Sequence, residues 1–386
     1  MSEHSFFAEY WEQQLLHISG RDPAFYSDTL TPEDVDQYLS RNDIRYPSLR
    51  MMHAGTPVPV ESFSRTLKFG NYASDGLIDV DRVYDAYMSG ASIVLQLMRS
   101  SLSGVTLLAN NLHKALRSNV EATVYVTPAN EQGFTTHYDT HSVFILQVSG
   151  KKCWRVYDHV VEQPLLTQQF DFRSHAIGAL TKEMVLVPGD LLYVPRGLAH
   201  DAAAVGDEPS IHITLGLFPI LWRDLLEQRI KQLRADPRFR AAPTSFFEPN
   251  SPRQFADEFE KLTDAALDSV SLEALVSLVR REHISRQGRL TKGWLSALEQ
   301  LGALGEASRI TGRRGVVTDM STEGDRLIIR FYNSVLRLPA VVAPAVDRLL
   351  SGDTWIVKDL QPNLDLEGCL TLARRFVVEG LATFAP

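Results

Sequence analysis

The chemistry in this chain is concentrated in one stretch, 123–157, which reads TVYVTPANEQGFTTHYDTHSVFILQVSGKKCWRVY. At its centre His137 and Asp139 stand two residues apart in what the pattern predicts to be a strand, where side chains at i and i+2 share a face. A third ligand is expected from His200 in PGDLLYVPRGLAH. Two histidines and one carboxylate, with coordination positions left open, are a donor set suited to Fe(II). Zinc accepts the same set and is the weaker reading. Taken alone an H-x-D tripeptide is weak. Its weight comes from the apolar strand that follows and from the later Pro-Gly-Asp turn, strand, Pro-x-Gly turn and histidine. The bland alternative is a β-scaffold whose histidines only satisfy buried hydrogen bonds.

Lys152 is the second residue of interest. On the return strand Lys152, Trp154 and Val156 share one face, so the lysine is either buried with an anionic partner or on a wet edge. In IHITLGL, Ile211, Ile213, Leu215 and Leu217 share one face while His212 and Thr214 share the other, as in a strand packed under helices on one side and facing a cavity on the other. His141 has the parity of His137 and Asp139. In a straight strand it would lie about 13 Å from His137, too far for the same ion. Asp201 is read as a loop residue.

The elements that must position these groups follow from punctuation and period. From Glu121 to about Phe218, short strands separated by Gly and Pro predict a jelly-roll sandwich or barrel. Val143 to Val148 and Cys153 to Tyr157, joined by SGKK, are expected to pair as an antiparallel hairpin. Upstream, 5–16 has helical spacing with Ser5 as its cap, and Thr31-Pro32 starts a second helix. Arg45 to Arg65 reads as strand and loop, IDVDRVYDAYMSG as helix and SIVLQLM as strand. The segment 104–118 reads as an amphipathic helix with Leu107, Leu108, Leu112 and Leu116 on one side. Downstream, Leu221, Trp222, Leu225, Leu226, Ile230 and Leu233 form an apolar stripe that ends at Asp236-Pro237. A polar linker (242–253) and further helices follow, giving a small helical domain over 219–290. The remainder, 291–386, mixes helices with a strand pair in the manner of a winged helix. It holds 11 acidic and 11 basic residues, so it lacks the positive footprint of a DNA reader.

Composition bounds the setting. The 386 residues are 44% apolar and 22% charged, with a formal charge of −8, which disfavours direct nucleic-acid binding. The two cysteines, Cys153 and Cys369, show no metal-type spacing and favour a reducing compartment. No apolar run approaches a membrane span and the N-terminus lacks a signal-peptide pattern, so a cytoplasmic location is expected.

The stretch YVTPANEQGFTTHYDTHSVFILQVSGKKCWRVY resembles the ribosomal oxygenase group of the JmjC-type (cupin-like) 2-oxoglutarate-dependent oxygenases, and FFAEYWEQQLL is similar to that group's N-terminal signature. The resemblance runs through essentially the whole chain and is most specific over 121–218. It implies an α+β protein: a double-stranded β-helix (jelly-roll, cupin/JmjC) catalytic domain over 1–218, a helical dimerisation domain over 219–290 and a C-terminal winged-helix domain over 291–386. It implies Fe(II) on His137, Asp139 and His200, with 2-oxoglutarate as cosubstrate. Lys152 would pair with the distal carboxylate, and the Tyr125 and Thr214 hydroxyls would hydrogen-bond it. The implied reaction consumes O2 and 2-oxoglutarate, releases succinate and CO2, and hydroxylates an Arg or His side chain of a ribosomal protein, the enzyme acting as a homodimer. Thr123, Thr140 and His141 depart from the relatives' pattern and bear on the target. Competing readings are the same chemistry on a peptide natural product or free amino acid, N-methyl-lysine demethylation, and a non-enzymatic binding scaffold.

Overall fold

The computed structural model describes residues 2–385 apart from 42, 244–251, 269–270, 286–289, 291 and 361–363. Most of the expected linker 242–253 therefore lies outside the described residues. The chain divides into two compact units, Met1–Phe218 and Pro219–Pro386.

The first unit opens on α1 (Glu3–Ser5), continued by a wide π-type turn over Phe6–Tyr10. Its cap is Ser2, whose hydroxyl accepts from the Ser5 amide, and not Ser5 as the sequence suggested. After β1 (Leu16–Ile18) comes α2 (Pro32–Leu39), where Thr31 and Asp34 form a reciprocal capping box ahead of Pro32. Then come β2 (Leu49–His53), β3 (Thr56–Pro57), a short helix α3 (Val60–Phe63), β4 (Ser64–Phe69) and β5 (Tyr72–Ile78). They lead to α4 (Val80–Met88), β6 (Ser92–Leu95) and α5 (Ser103–Leu116). The helix α3 is an addition to the strand and loop expected over 45–65. On α5 the deepest residues are Val105, Ala109 and His113, while Leu107 is 38% exposed. The buried stripe is thus rotated from the one the leucines suggested, although Leu108, Leu112 and Leu116 still pack on the core.

The remaining strands build the sandwich: β7 (Asn119–Thr127), β8 (Ser142–Ser149), β9 (Lys152–His159), β10 (Leu180–Leu186), β11 (Leu191–Val194), β12 (Leu198–Ala204) and β13 (Ser210–Phe218). They form a large sheet ordered β1-β11-β8-β13-β7-β6-β2-β3 and a small one ordered β10-β9-β12. The expected hairpin of β8 with β9 does not form. β8 pairs with β11 and β13, whereas β9 pairs with β10 and β12. The SGKK segment therefore carries the chain from one sheet to the other. Gly150 is required there: its φ is +62° and a Cβ would stand 2.0 Å from the Pro209 carbonyl oxygen. Such crossovers are how a jelly roll is wound, and a turn signal looks the same whether the strands it joins pair or part.

The large sheet is buried on both faces. Val120, Ala122, Val124 and Val126 of β7 and Ile211, Ile213, Leu215 and Leu217 of β13 pack with the helices in one core. Val143 and Ile145 of β8 meet Trp154 and Val156 of β9 in a second core between the sheets. The opposite parity of β7 and β13 faces the cavity.

The second unit begins with α6 (Trp222–Gln232), followed by α7 (Pro252–Asp268), α8 (Leu272–Ser285) and α9 (Trp294–Glu299). Two three-stranded sheets follow. One is ordered β18-β14-β19 from Thr354–Ile356, Arg309–Gly312 and Ala382–Phe384; the other is β15-β16-β17 from Thr318–Glu323, Arg326–Phe331 and Ser334–Pro339. With α10 (Ala343–Leu350) and α11 (Leu366–Val378) they enclose a core around Phe331, Leu349 and Phe376. The apolar stripe expected on α6 is largely uncovered in the single chain: Trp222 is 82%, Leu226 56% and Ile230 64% exposed.

Candidate metal and cosubstrate site

His137 and Asp139 do not lie in a regular strand, contrary to expectation. They sit in the irregular approach to β8, where His137 forms an isolated antiparallel bridge with His200. The His137 amide donates to the His200 carbonyl (3.1 Å) and the His200 amide to the His137 carbonyl (2.7 Å), while the Gly197 amide donates to the Asp139 carbonyl (3.0 Å). The backbone of the H-x-D segment is thereby zipped onto the Pro-x-Gly-to-histidine segment. Tyr138, between the two ligands, turns the other way: it is buried and its hydroxyl donates to the Gln168 carbonyl (2.8 Å). That leaves His137 and Asp139 facing one cavity.

One ligand-type atom from each of His137, Asp139 and His200 lies within 4.8 Å of the others, and His200 Nε2 is 3.7 Å from Asp139 Oδ2. Both imidazoles are oriented by their own backbone. His137 Nδ1 is 2.8 Å from the Thr135 carbonyl oxygen and His200 Nδ1 is 3.0 Å from that of Leu198. A carbonyl oxygen only accepts, so each Nδ1 carries a proton, and in the neutral ring each Nε2 keeps its lone pair. Burial pushes the Asp139 carboxyl up, but the neighbouring His200, His137 and His141 outweigh it and hold it below the usual range. Burial and the charge of His137 lower His200, which favours the neutral, ligating form. Two neutral Nε2 donors and one carboxylate fit a divalent ion such as Fe(II).

Asp201 is not a loop residue. It is buried on β12, facing away from His200, and ties three elements together. Its Oδ1 accepts from Arg155 Nε (2.7 Å), and its Oδ2 from the Thr136 (2.7 Å) and Tyr157 (2.9 Å) hydroxyls. Thr136 and Asp201 each adjoin a triad histidine, so this carboxylate fastens both ligand segments to β9.

The triad opens into a cavity of about 470 Å³ between the two sheets. Lys152, Tyr125 and Thr214 all line it, with Thr123, Thr127, Trp154, His212 and Arg50. Lys152 is 4% exposed, and its Nζ donates to Thr127 Oγ1 (3.0 Å). Burial brings its pKa down to about 7. Burial and the adjacent Lys152 charge hold His212 neutral, and the His212 ring stacks on Tyr125 with centroids 4.8 Å apart. A buried lysine whose ammonium meets a single hydroxyl suits an anionic ligand.

His141 also lines the cavity, because the chain around it is not a straight strand and the 13 Å argument does not apply. Its ring stacks on Phe218 (4.6 Å) and lies against Gly216, where a Cβ would meet it at 2.8 Å. Thr123 lines the cavity as well. Sequence reasoning missed Thr127 and Glu121, although both share the parity of Tyr125 on β7.

The family model described as JmjC domain matches residues 105–225. That part of the chain is similar to a JmjC domain. Its relatives include the bifunctional lysine-specific demethylase and histidyl-hydroxylase NO66 of Aedes aegypti, 33% identical over 225 residues, covering 58% of this chain and 34% of that protein. Ribosomal oxygenase 1 of Gallus gallus is 32% identical over 227 residues, covering 58% of this chain and 36% of that protein. The chain thus spans about a third of the length of these curated relatives. Among solved structures, the Escherichia coli ribosomal oxygenase YcfD covers 100% of this chain and 98% of its own, with a TM-score of 0.58 at 15% identity. A second YcfD structure, in complex with cobalt and 2-oxoglutarate, gives a TM-score of 0.56 at 15% identity, covering 100% and 99%. At these identities the likeness establishes the shared JmjC/cupin-type fold. Among the described residues no helix is long and apolar enough to cross a membrane.

Proposed function

We propose that the chain is a 2-oxoglutarate- and Fe(II)-dependent protein hydroxylase that oxidises an Arg or His side chain of a ribosomal protein. The observation that carries this reading is one cavity holding a two-histidine, one-carboxylate cluster and a buried lysine. The substrate class follows from similarity to a histidyl-hydroxylase and a ribosomal oxygenase. In this reading His137, Asp139 and His200 hold Fe(II). Lys152 pairs with the distal carboxylate of 2-oxoglutarate, and Tyr125 and Thr214 offer hydroxyls to it. Bound together, Fe(II) and 2-oxoglutarate supply O2 activation, one oxygen atom ending in succinate as CO2 leaves and the other as hydroxyl on the target carbon.

The protein's own contribution is positional. The carbonyls of Thr135 and Leu198 keep both imidazoles in the ligating tautomer, and Thr127 aims the ammonium. An anion at Lys152 converts a costly lone charge into a pair in a low-dielectric site. The apolar walls, Val143, Ile145 and Trp154, exclude water from the reacting centre.

The domain reading belongs to the same proposal: a catalytic domain over 1–218, a helical dimerisation domain over 219–290 and a winged-helix domain over 291–386. Trp222, Leu226 and Ile230, exposed at four-residue spacing along α6, support a homodimer contact. The balanced charge of 291–386 supports a protein-contact role there.

The test is succinate formation from 2-oxoglutarate with Fe(II), ascorbate and ribosomal protein. Turnover should require Fe(II) and leave the ribosomal protein heavier by one oxygen. No succinate under these conditions would favour a binding scaffold. The relatives' names also support a second reading, demethylation of an N-methylated lysine, for which formaldehyde release from a methylated peptide is the distinguishing product.

A further inference from the structure

The N-terminal stretch FFAEYWEQQLL contributes no residue to the cavity lining, yet one of its side chains reaches the back of the metal site. Glu12 follows the π-type turn in a left-handed conformation, φ +55°, which a residue with a Cβ adopts only where its surroundings hold it. Its amide donates to the hydroxyl of Tyr193 (2.9 Å), a fully buried residue of β11 on which the Phe6 and Trp11 rings also pack.

The Glu12 carboxylate meets Arg196. Its Oε1 is 2.7 Å from Nε, and its Oε2 accepts from Nη2 (3.0 Å). The remaining nitrogen, Nη1, donates to the Pro164 carbonyl (3.0 Å). The arginine side chain is 7% and the glutamate side chain 15% exposed, so water competes little for either. Arg196 lies in the turn between β11 and β12, and that turn touches the metal site on both sides. The Arg196 amide donates to the Ser142 hydroxyl at the start of β8 (3.2 Å). The next amide, of Gly197, donates to the Asp139 carbonyl (3.0 Å), and the Leu198 carbonyl that follows orients the His200 ring. One turn therefore fixes two of the three ligands, and one buried ion pair holds the turn.

We infer that Glu12 is a positioning residue for the metal site: its pair with Arg196 fixes the turn that sets Asp139 and His200. This rests on the metal assignment within the hydroxylase reading. Asp201 braces the ligand segments against β9, and Glu12 braces them against the N-terminal segment. A buried ion pair gives little net stability over apolar side chains of the same volume. Its directional contacts do fix where the turn lies, and outer partners of this kind set the affinity of a metal site.

The experiment titrates the full chain with Co(II) alone, reading affinity and geometry from the visible absorption of the bound ion, and records the unfolding midpoint beside it. Glu12→Gln, which keeps the shape and removes the charge, should weaken Co(II) about tenfold and change its absorption bands. The double variant Glu12→Leu/Arg196→Met replaces the pair by apolar side chains. It should keep a midpoint close to wild type and still lose about tenfold in Co(II) affinity. Val105→Ala, a core truncation on α5 outside the cavity lining, should lower the midpoint and leave Co(II) affinity within about twofold. Wild-type affinity and bands in the folded double variant overturn the inference. So does a loss of affinity in Val105→Ala as large as that in Glu12→Gln, and this comparison decides alone if the double variant does not fold. The two readings fail separately: Co(II) binding that ignores the ion pair removes only the positioning role. No Co(II) binding by the wild type removes the metal assignment, and the positioning role with it.

Discussion

The triad and the lysine pocket share one cavity but solve the problem of burying polar groups in opposite ways. Around the triad, the polar groups are compensated within the fold. Each histidine Nδ1 has a carbonyl, Asp139 has three histidines beside it, and Asp201 holds both segments from behind. At Lys152, the ammonium donates to one hydroxyl, that of Thr127. The first arrangement is built before any ligand arrives. The second carries a cost that a dicarboxylate would relieve, and stability is there exchanged for affinity.

Removing a triad ligand should have the largest effect. His200→Ala or Asp139→Ala is expected to reduce succinate formation by about 10³-fold or more, since a metal centre loses one of three anchors. Circular dichroism should show the fold retained; normal turnover in either variant would remove the metal assignment. Lys152→Met separates the two regions most sharply. It should raise the 2-oxoglutarate KM by roughly 10–100-fold, as expected for a lost charge-assisted pair. It should also leave the ligand-free protein at least as stable, because an uncompensated buried charge disappears. A variant that is markedly less stable, with KM unchanged, would mean that the lysine is a structural member of the core.

Asp201→Asn probes the compensated side. Fe(II) affinity should fall about tenfold, and stability by about 1–3 kcal/mol from the weakened Arg155 contact. If metal affinity is untouched, the carboxylate only braces the sheet.

A final test concerns pH. The folded-state pKa of Lys152 is depressed to about 7 while an unfolded lysine titrates near 10.4, so between these values the unfolded chain binds more protons. Stability of the ligand-free protein from this group should therefore rise with pH from about 7 to 10, by on the order of a few kcal/mol. Saturating 2-oxoglutarate, or Lys152→Met, should flatten that slope. A slope that persists in the variant would place its origin in another group.

Much of the site could be read from strand parity. Lys152, Trp154 and Val156 do share the inner face, and His212 and Thr214 do face the cavity. Ring and helix details were less accessible: Ser2 caps in place of Ser5, and Leu107 points outward, because each outcome depends on which neighbours pack there. Asp201 was misread for the same reason. Its partners Arg155 and Tyr157 lie more than 40 residues away, so nothing adjacent to it in sequence announces its burial. Glu121 was legible in principle as a cavity residue, since it continues the Tyr125 parity.

Alternation along a single strand is a local property, set by the two-residue period of extended backbone. It was enough to put Lys152 on one face with Trp154 and Val156, and to predict which side of β13 is apolar; the roles of Lys152, Tyr125 and Thr214 toward a cosubstrate came from the family resemblance. Which sheet β9 joins, which nitrogen of each histidine meets a backbone carbonyl, and which buried charge lacks an acidic partner among the described residues were decided only in three dimensions. Those outcomes depend on partners distant in the chain: β8 and β9 part because their neighbours lie elsewhere, and Lys152 is uncompensated because no acidic side chain reaches it among the described residues.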